Sequence, residues 1–308
     1  MISSFFSKAK PIHLIVVSVL LTITFTLTKV FKTTQDFEAG NIIKQILLLG
    51  VCIFSVFVFD FLSGKNDLTK NNSYKILFFS LFMIIMPQTF LNSKILVANL
   101  FILFALRRII SIRTKKQINK KLFDAAFWVS LATLLSFWAS LFYTLIFIAI
   151  ILYTITDIKN WIIPFVGILT VVVICISILI VTNTNILDYF LNMKTDISFD
   201  FSHLNSRPII ISSTIIFSYF IWAVFFYINS IKTKSKNVKP SYFLILIATL
   251  IGFAIVLISP NKTGAEFLFL FAPLSIILAT YMEILKEKWF KEVLIWILIL
   301  IPVINLML

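Results

Sequence analysis

The sequence predicts an all-α fold, a polytopic transmembrane helical bundle of about eleven spans with its N-terminus in the cytoplasm. Three observations carry that prediction. Hydrophobic residues make up 60% of the 308 and charged residues only 13%, whereas a soluble domain is roughly a quarter charged. Apolar runs recur at about the 20-residue length that a helix needs to cross a bilayer at about 1.5 Å rise per residue. Lysine and arginine concentrate in every second connection, the pattern left when cytoplasmic loops retain their cations during insertion.

The first run extends from Pro11 to Phe31. The stretch Met1–Lys10 ahead of it is short and basic. The run outlasts a signal h-region, however, and no small-x-small cleavage site follows, so it reads as an uncleaved span. A polar loop, Lys32 to Asn41, leads to the second run, Ile42 to Leu62. The stretch from Ile76 to Leu106 is broken only by Pro87, Gln88 and Asn92-Ser93-Lys94, which divide it into a tight hairpin of two short spans. Arg107 to Lys121 is the most basic loop. Phe123 to Thr156 is too long for one helix, and a turn near Trp138-Ala139-Ser140 makes two of it. The remaining runs are Trp161–Val181, Pro208–Asn229, Ser241–Ser259, Phe267–Leu285 and Val293 to the C-terminus.

Charge decides the ambiguous stretch. With two spans between Phe123 and Thr156, cytoplasmic segments hold twenty of the 27 basic residues. With one span, Lys232, Lys234, Lys236 and Lys239 would fall outside, against the positive-inside bias. The outer side carries seven cations and six acids (Asp36, Glu38, Asp188, Asp196, Asp200 and Glu266), close to balance. No polar stretch is long enough for a separate soluble domain, so residues 1–308 form a single integral membrane domain.

Composition also excludes function classes. The net charge of +14 has its origin in topology, and no nucleic-acid recognition motif accompanies it. Cys52 and Cys175 both sit in apolar runs, as small buried hydrophobes do. No Cys/His cluster has metal-ligand spacing, so neither a metal nor a cofactor is expected. No internal repeat, P-loop, channel filter or chain of buried acids marks a transporter or channel.

Three outer segments carry candidate chemistry. In Lys32–Asn41, Asp36 and Glu38 stand at the membrane surface directly after the first span. A carboxylate there suits a general base, or else simply solvates the loop. The loop from Asn183 to Arg207 holds Ile186, Leu187, Phe190 and Leu191 at helical spacing, an amphipathic interfacial helix, followed by the alternating stretch Phe199-Asp200-Phe201-Ser202. Here His203 is a candidate proton shuttle and Arg207 a candidate phosphate ligand, beside the alternative that both are plain surface residues. The third segment is Ser259–Glu266 with Lys262 and Gly264, leading into an aromatic run bearing Pro273. It reads as an anion site at a helix N-terminus or as a tight turn, and Pro273 as a kink lining a cavity. Asp60 and Asp124 lie near cytoplasmic span ends and read as anchors, while His13, where the first span begins, calls for no special role.

Two resemblances rest on particular residues. Met1-Ile2-Ser3-Ser4-Phe5-Phe6 with Lys10-Pro11-Ile12, Phe104-Ala105-Leu106-Arg107-Arg108, Lys121–Ala126 and Ile162–Gly167 resemble an uncharacterised family (a domain of unknown function) of bacterial polytopic inner-membrane proteins, across the whole chain. That resemblance implies a fold and no activity. Asp36 and Glu38 in the first outer loop, Ser259-Pro260-Asn261-Lys262, and Phe271-Ala272-Pro273-Leu274 resemble the GT-C membrane glycosyltransferases. That likeness implies transfer of a sugar from a polyprenyl-phosphate donor at the outer face, with Asp36 or Glu38 as catalytic base and Lys262, helped by Arg207, on the donor phosphate. The expected partners are then membrane lipids and a polyprenyl-phosphate-linked sugar. The rival expectations are a non-enzymatic membrane subunit of an envelope-assembly or secretion complex, and a transporter.

Overall fold

The computed structural model describes residues 1–32, 39–191, 193, 195–260 and 262–307, and these form an all-helical bundle without strands. A five-residue helix, α1 (Ile2–Phe6), precedes two long ones, α2 (Pro11–Lys32) and α3 (Ala39–Lys65). A hairpin follows, of α4 (Tyr74–Ile85), the single turn α5 (Gln88–Leu91) and α6 (Ser93–Ser111). Next come α7 (Ile118–Leu135), α8 (Phe142–Leu152), α9 (Lys159–Val181) and the short α10 (Ile186–Leu191). The chain finishes with α11 (Arg207–Lys232), α12 (Lys239–Ile258), α13 (Leu268–Ile284) and α14 (Lys288–Met307).

Each predicted apolar run is a helix, and the turn read at Trp138-Ala139-Ser140 is a 3₁₀ segment, Phe137–Leu141. Among the described residues, seven helices are long and apolar enough to cross a membrane. The helices α4 and α8 are shorter than a bilayer requires, and burial explains how they are tolerated. Every residue of α4 except Ile84 is buried, so its broken end faces protein rather than hydrocarbon.

The bundle is organised around α13. Leu268 through Met282 are buried without interruption, because α4, α6, α11 and α12 surround it. A helix that is apolar on every side belongs in such a centre. The outer helices show the opposite pattern: α2 leaves Ile15, Val19 and Ile23 about half exposed, and α9 leaves Leu169, Val173 and Ile180 about 61% exposed. In water such a stripe would be an aggregation hazard; in lipid it is the natural surface.

Close approach at the centre depends on small residues. A Cβ on Gly252 would stand 2.8 Å from the Leu270 Cα, so α12 and α13 touch backbone to backbone there. A Cβ on Gly167 of α9 would meet the Phe123 carbonyl oxygen and the Ala126 Cβ of α7, each at 2.9 Å. Small residues at helix crossings are how apolar helices gain packing when lipid competes for their surfaces.

The connections fall into two groups by contact. Ala9 donates its N–H to Asn71, and Ser73 to Phe6. Arg113 pairs with Asp67 at 3.1 Å, Tyr153 meets Ser241, and Glu283 accepts from the Lys70 N–H and the Asn72 amide. Residues near 1–10, 66–73, 112–117, 153–158, 233–241 and 283–292 therefore share one end of the molecule. At the other end, Ser198 donates to the Ile258 carbonyl, and Gly264 lies beside Gln88 and Ile209. The first end holds the basic loops.

Two expectations change. Asp60 and Asp124 are not mere anchors: each crosses to a cation on a neighbouring helix, Asp60 to Lys75 at 3.2 Å and Asp124 to Arg108 at 2.8 Å. His13 is fully buried, its Nδ1 2.8 Å from the Ser73 hydroxyl and its ring against Phe5 and Phe6. It seals α1 against the bundle.

Candidate ligand cavity

The end opposite the basic loops contains a cavity of about 550 Å³. Five chain segments build it. Asn92 ends the α5 turn and caps α6, its Oδ1 accepting from the Ile95 N–H at 3.2 Å, as an Asn N-cap does. Lys94 follows in the first turn of α6, exposed and without an ion-pair or hydrogen-bond partner among the described residues. From the second segment, where Ser136 leaves α7 in extended conformation, comes Trp138. Among the described residues its buried indole N–H has no acceptor. The third segment supplies Tyr189 and Met193, and the others supply Ser259 with Pro260 and Thr263 with Glu266.

Glu266 is best understood from its own chain. Thr263-Gly264-Ala265-Glu266 is a turn in which the carboxylate reaches back to the residue three positions earlier, the backward half of a capping box. The Glu266 carboxylate accepts from the Thr263 N–H at 3.1 Å, the Gly264 N–H at 2.9 Å and the Thr263 hydroxyl at 3.1 Å. Gly264 makes the turn at φ +87°, a left-handed conformation that favours glycine. The Thr263 and Gly264 N–H groups, in the turn that leads into α13, are thus already occupied by a buried carboxylate.

That arrangement corrects the anion-site expectation for this loop. Lys262 is 1% exposed, and its ammonium donates to the Ser259 carbonyl at 2.9 Å and to the Ser198 carbonyl while lying 4.6 Å over the Phe201 ring. Burial lowers its pKa, and Asp200 and Glu266 partly offset that shift. It does not line the cavity. Its work is to pin the irregular segment 195–201 against the end of α12, a strap continued by the Ser198 to Ile258 backbone bond. Exchanging Lys262 for Met is expected to leave one buried and one part-buried carbonyl unpaired, costing about 2 kcal/mol. Limited proteolysis within 195–201 should read the release, and an unchanged cleavage rate would contradict the strap.

The other expected site residues are dispersed. Arg207 opens α11 exposed, and His203 is exposed on the preceding 3₁₀ turn. Asp200 accepts from the Ser202 N–H at 2.9 Å, and its hydrogen bonds to Ser202 hold its carboxyl below the ordinary range. None of these lines the cavity. Asp36 and Glu38 lie outside the described residues. Pro273 does not line it either; it is buried in α13, next to Ala272 and Leu274 in the core.

Lys94, Trp138 and Tyr189 are the functional candidates that sequence reasoning passed over. An exposed cation in a hairpin, an aromatic on a 3₁₀ turn and another on the short α10 carry no local signal; only the assembled fold brings them together. Among the described residues, no group of three or more His, Cys, Asp or Glu side chains could hold a metal ion.

Fold and cavity together define a class: an all-helical membrane protein with one strongly basic end and a donor-lined cavity at the other. The chain belongs to a family of unknown function (DUF6427), whose model matches residues 6–307. No curated protein and no solved structure matches it.

Proposed function

We propose that all eleven long helices (α2, α3, α4, α6 to α9 and α11 to α14) cross a bacterial inner membrane, with the N-terminus and the basic end cytoplasmic. On that reading the cavity opens at the outer face and receives the polar head of a lipid-linked ligand. The observation that carries this is the lining: Lys94, the Asn92 amide and the Trp138 indole N–H bring donors to one cavity, beside Tyr189, Ile95, Leu134 and Pro260. Donors over an apolar floor suit an acceptor-rich head such as a phosphate or sugar carried on a prenyl or acyl chain. Lys94 takes the phosphate role that the sequence assigned to Lys262.

One observation keeps the GT-C-like transferase reading as a second. Phe25 of α2 stacks edge-on against Phe90 of α5 at 5.7 Å, so α2 ends on the cavity's side of the molecule. The connection bearing Asp36 and Glu38 starts there. Glu266 is no substitute base, since three donors already hold its carboxylate.

The experiment is lipid analysis of purified protein, wild type against Lys94→Gln and against Asp36→Asn with Glu38→Gln. The binding reading expects phosphate-bearing lipid to co-purify and to fall about fivefold or more in Lys94→Gln, the worth of roughly one charge-assisted contact. Equal lipid in wild type and Lys94→Gln would overturn it. The transferase reading further requires the envelope glycolipid profile to change in the Asp36/Glu38 variant and in a deletion; an unchanged profile in both sinks that reading alone and leaves a non-enzymatic binding subunit.

A further inference from the structure

A second concavity lies far from the outer cavity, on the flank of the bundle. The helices α2 and α14 both pack on α4 but leave between them a slot of about 630 Å³. Each wall is a single helix face. Leu77, Leu81 and Ile84 of α4 form the floor, at i, i+4 and i+7. Val16, Leu20 and Thr24 of α2 form one side, at i, i+4 and i+8, and Ile299 and Pro302 of α14 form the other. The eight-residue interval on α2 makes the slot about 12 Å long. Phe5, Phe6 and the start of α1 close its lower end.

The slot is lined almost wholly by carbon and flanked by residues that face outward: Ile15, Val19 and Ile23 on α2, and Trp296, Leu300 and Val303 on α14. Its surroundings are therefore hydrocarbon, and a hydrocarbon chain fills it. Apolar contact alone gives little preference there, since lipid tails compete equally for such a surface. Selectivity has to come from the end that meets water. That end is basic. Lys8 and Lys10 are exposed in the segment joining α1 to α2, and the Ala9 to Asn71 backbone bond holds this segment against the bundle. The Lys10 carbonyl accepts from the His13 N–H at 3.1 Å, and the His13 ring contacts both Phe5 and Phe6 at the slot's closed end. The nearby acid, Glu292, is occupied: its carboxylate accepts from the Ile2 and Ser3 N–H groups and the Ser3 hydroxyl.

We propose that this slot is a binding site for an anionic phospholipid of the inner leaflet, with one acyl chain along Leu77, Leu81 and Ile84 and the phosphate at Lys8 and Lys10. The leaflet assignment rests on the orientation given under the proposed function. The site itself does not, since an acyl slot ending in lysines selects anionic lipid in whichever leaflet it faces. Glu292 then has a clear part: by capping α1 it holds the floor of the headgroup site in place.

The test is native mass spectrometry of the full chain exchanged into vesicles of phosphatidylglycerol or of phosphatidylethanolamine. Wild type is expected to retain phosphatidylglycerol preferentially. Lys8→Gln with Lys10→Gln should lower that preference about fivefold per lysine removed, the worth of about 1 kcal/mol for each cation near a membrane surface. Leu20→Trp, on the exposed wall, fills the slot and should reduce retention of both lipids, and folding of each variant is checked by its thermal midpoint. An unchanged preference in the lysine variant overturns the proposal. So does a wild type that retains both lipids equally, or a dimer persisting without lipid whose contact Leu20→Trp disrupts. Failure of the outer cavity is read separately, because Lys94→Gln should leave this preference untouched.

Discussion

Exchanging Gly252 for valine is expected to prevent stable folding of the bundle. The first carbon added would stand 2.8 Å from the Leu270 Cα and 3.1 Å from its nitrogen. These are backbone atoms of the most enclosed helix and cannot swing aside as a side-chain tip would. Relief requires α12 and α13 to separate, and α13 is also held by α4, α6 and α11. Overpacking a tight core costs about 1–3 kcal/mol and more where backbone must move, so a loss of about 3 kcal/mol or more is expected. A thermal-shift or size-exclusion assay on detergent-solubilised protein reads it. Gly50→Ala is the control, since nothing lies within 4 Å of the carbon it would add. Removing a helical glycine there should be neutral or stabilise by up to about 1 kcal/mol. Equal behaviour of Gly252→Val and Gly50→Ala would show that the α12–α13 contact is not the close one described.

The second large effect is at Asp60 and Lys75. The Lys75 side chain is 6% exposed and sits 3.2 Å from the Asp60 carboxylate, which is 37% exposed. Asp60→Ala leaves an ammonium enclosed in α4 without its counter-charge, a lesion that costs about 3 kcal/mol where a buried pair is broken. Part of the pair reaches solvent, so the low end of the usual range applies. Joining Asp60→Leu to Lys75→Met removes both charges and should recover most of the loss, because a buried pair contributes little beyond its apolar replacement. A double-mutant cycle on unfolding midpoints measures the coupling. Additive losses would mean that the two residues act independently.

Much of the architecture was legible in the chain because it depends on local quantities. Segment length and apolar content mark each helix, and breakers mark the hairpins: Asn92-Ser93-Lys94 before α6 and Trp138-Ala139-Ser140 before α8 both fall where read. The amphipathic spacing of Ile186 to Leu191 gives α10, whose Leu187 and Leu191 remain exposed as an interfacial face would leave them. Pairings across the bundle were not legible. Nothing in the sequence around Asp60 selects Lys75, and nothing around Asp124 selects Arg108, since each partner comes from another helix.

The site was hidden for the same reason, and in one place the local signal misled. Lys262 stands among Pro260, Asn261 and Gly264, a setting that reads as an exposed turn. Burial of its ammonium is possible only because a segment some sixty residues earlier supplies the Ser198 carbonyl and the Phe201 ring. The cavity opposite the basic end likewise takes Lys94, Trp138, Tyr189 and Glu266 from segments that share no pattern. Sequence locates chemistry when one short motif holds it; here tertiary packing does.

The outer-face assignment of the cavity and the inner-leaflet assignment of the slot both depend on which end of the bundle faces the cytoplasm. Cys52 and Cys175 are both free and buried, so single cysteines can be placed against a low labelling background. Ser202→Cys and Ser235→Cys are exposed positions at opposite ends. A membrane-impermeant maleimide applied to intact cells stripped of their outer membrane should label Ser202→Cys and spare Ser235→Cys until the inner membrane is opened. Labelling of Ser235→Cys alone in sealed cells would place the basic end outside and contradict the account.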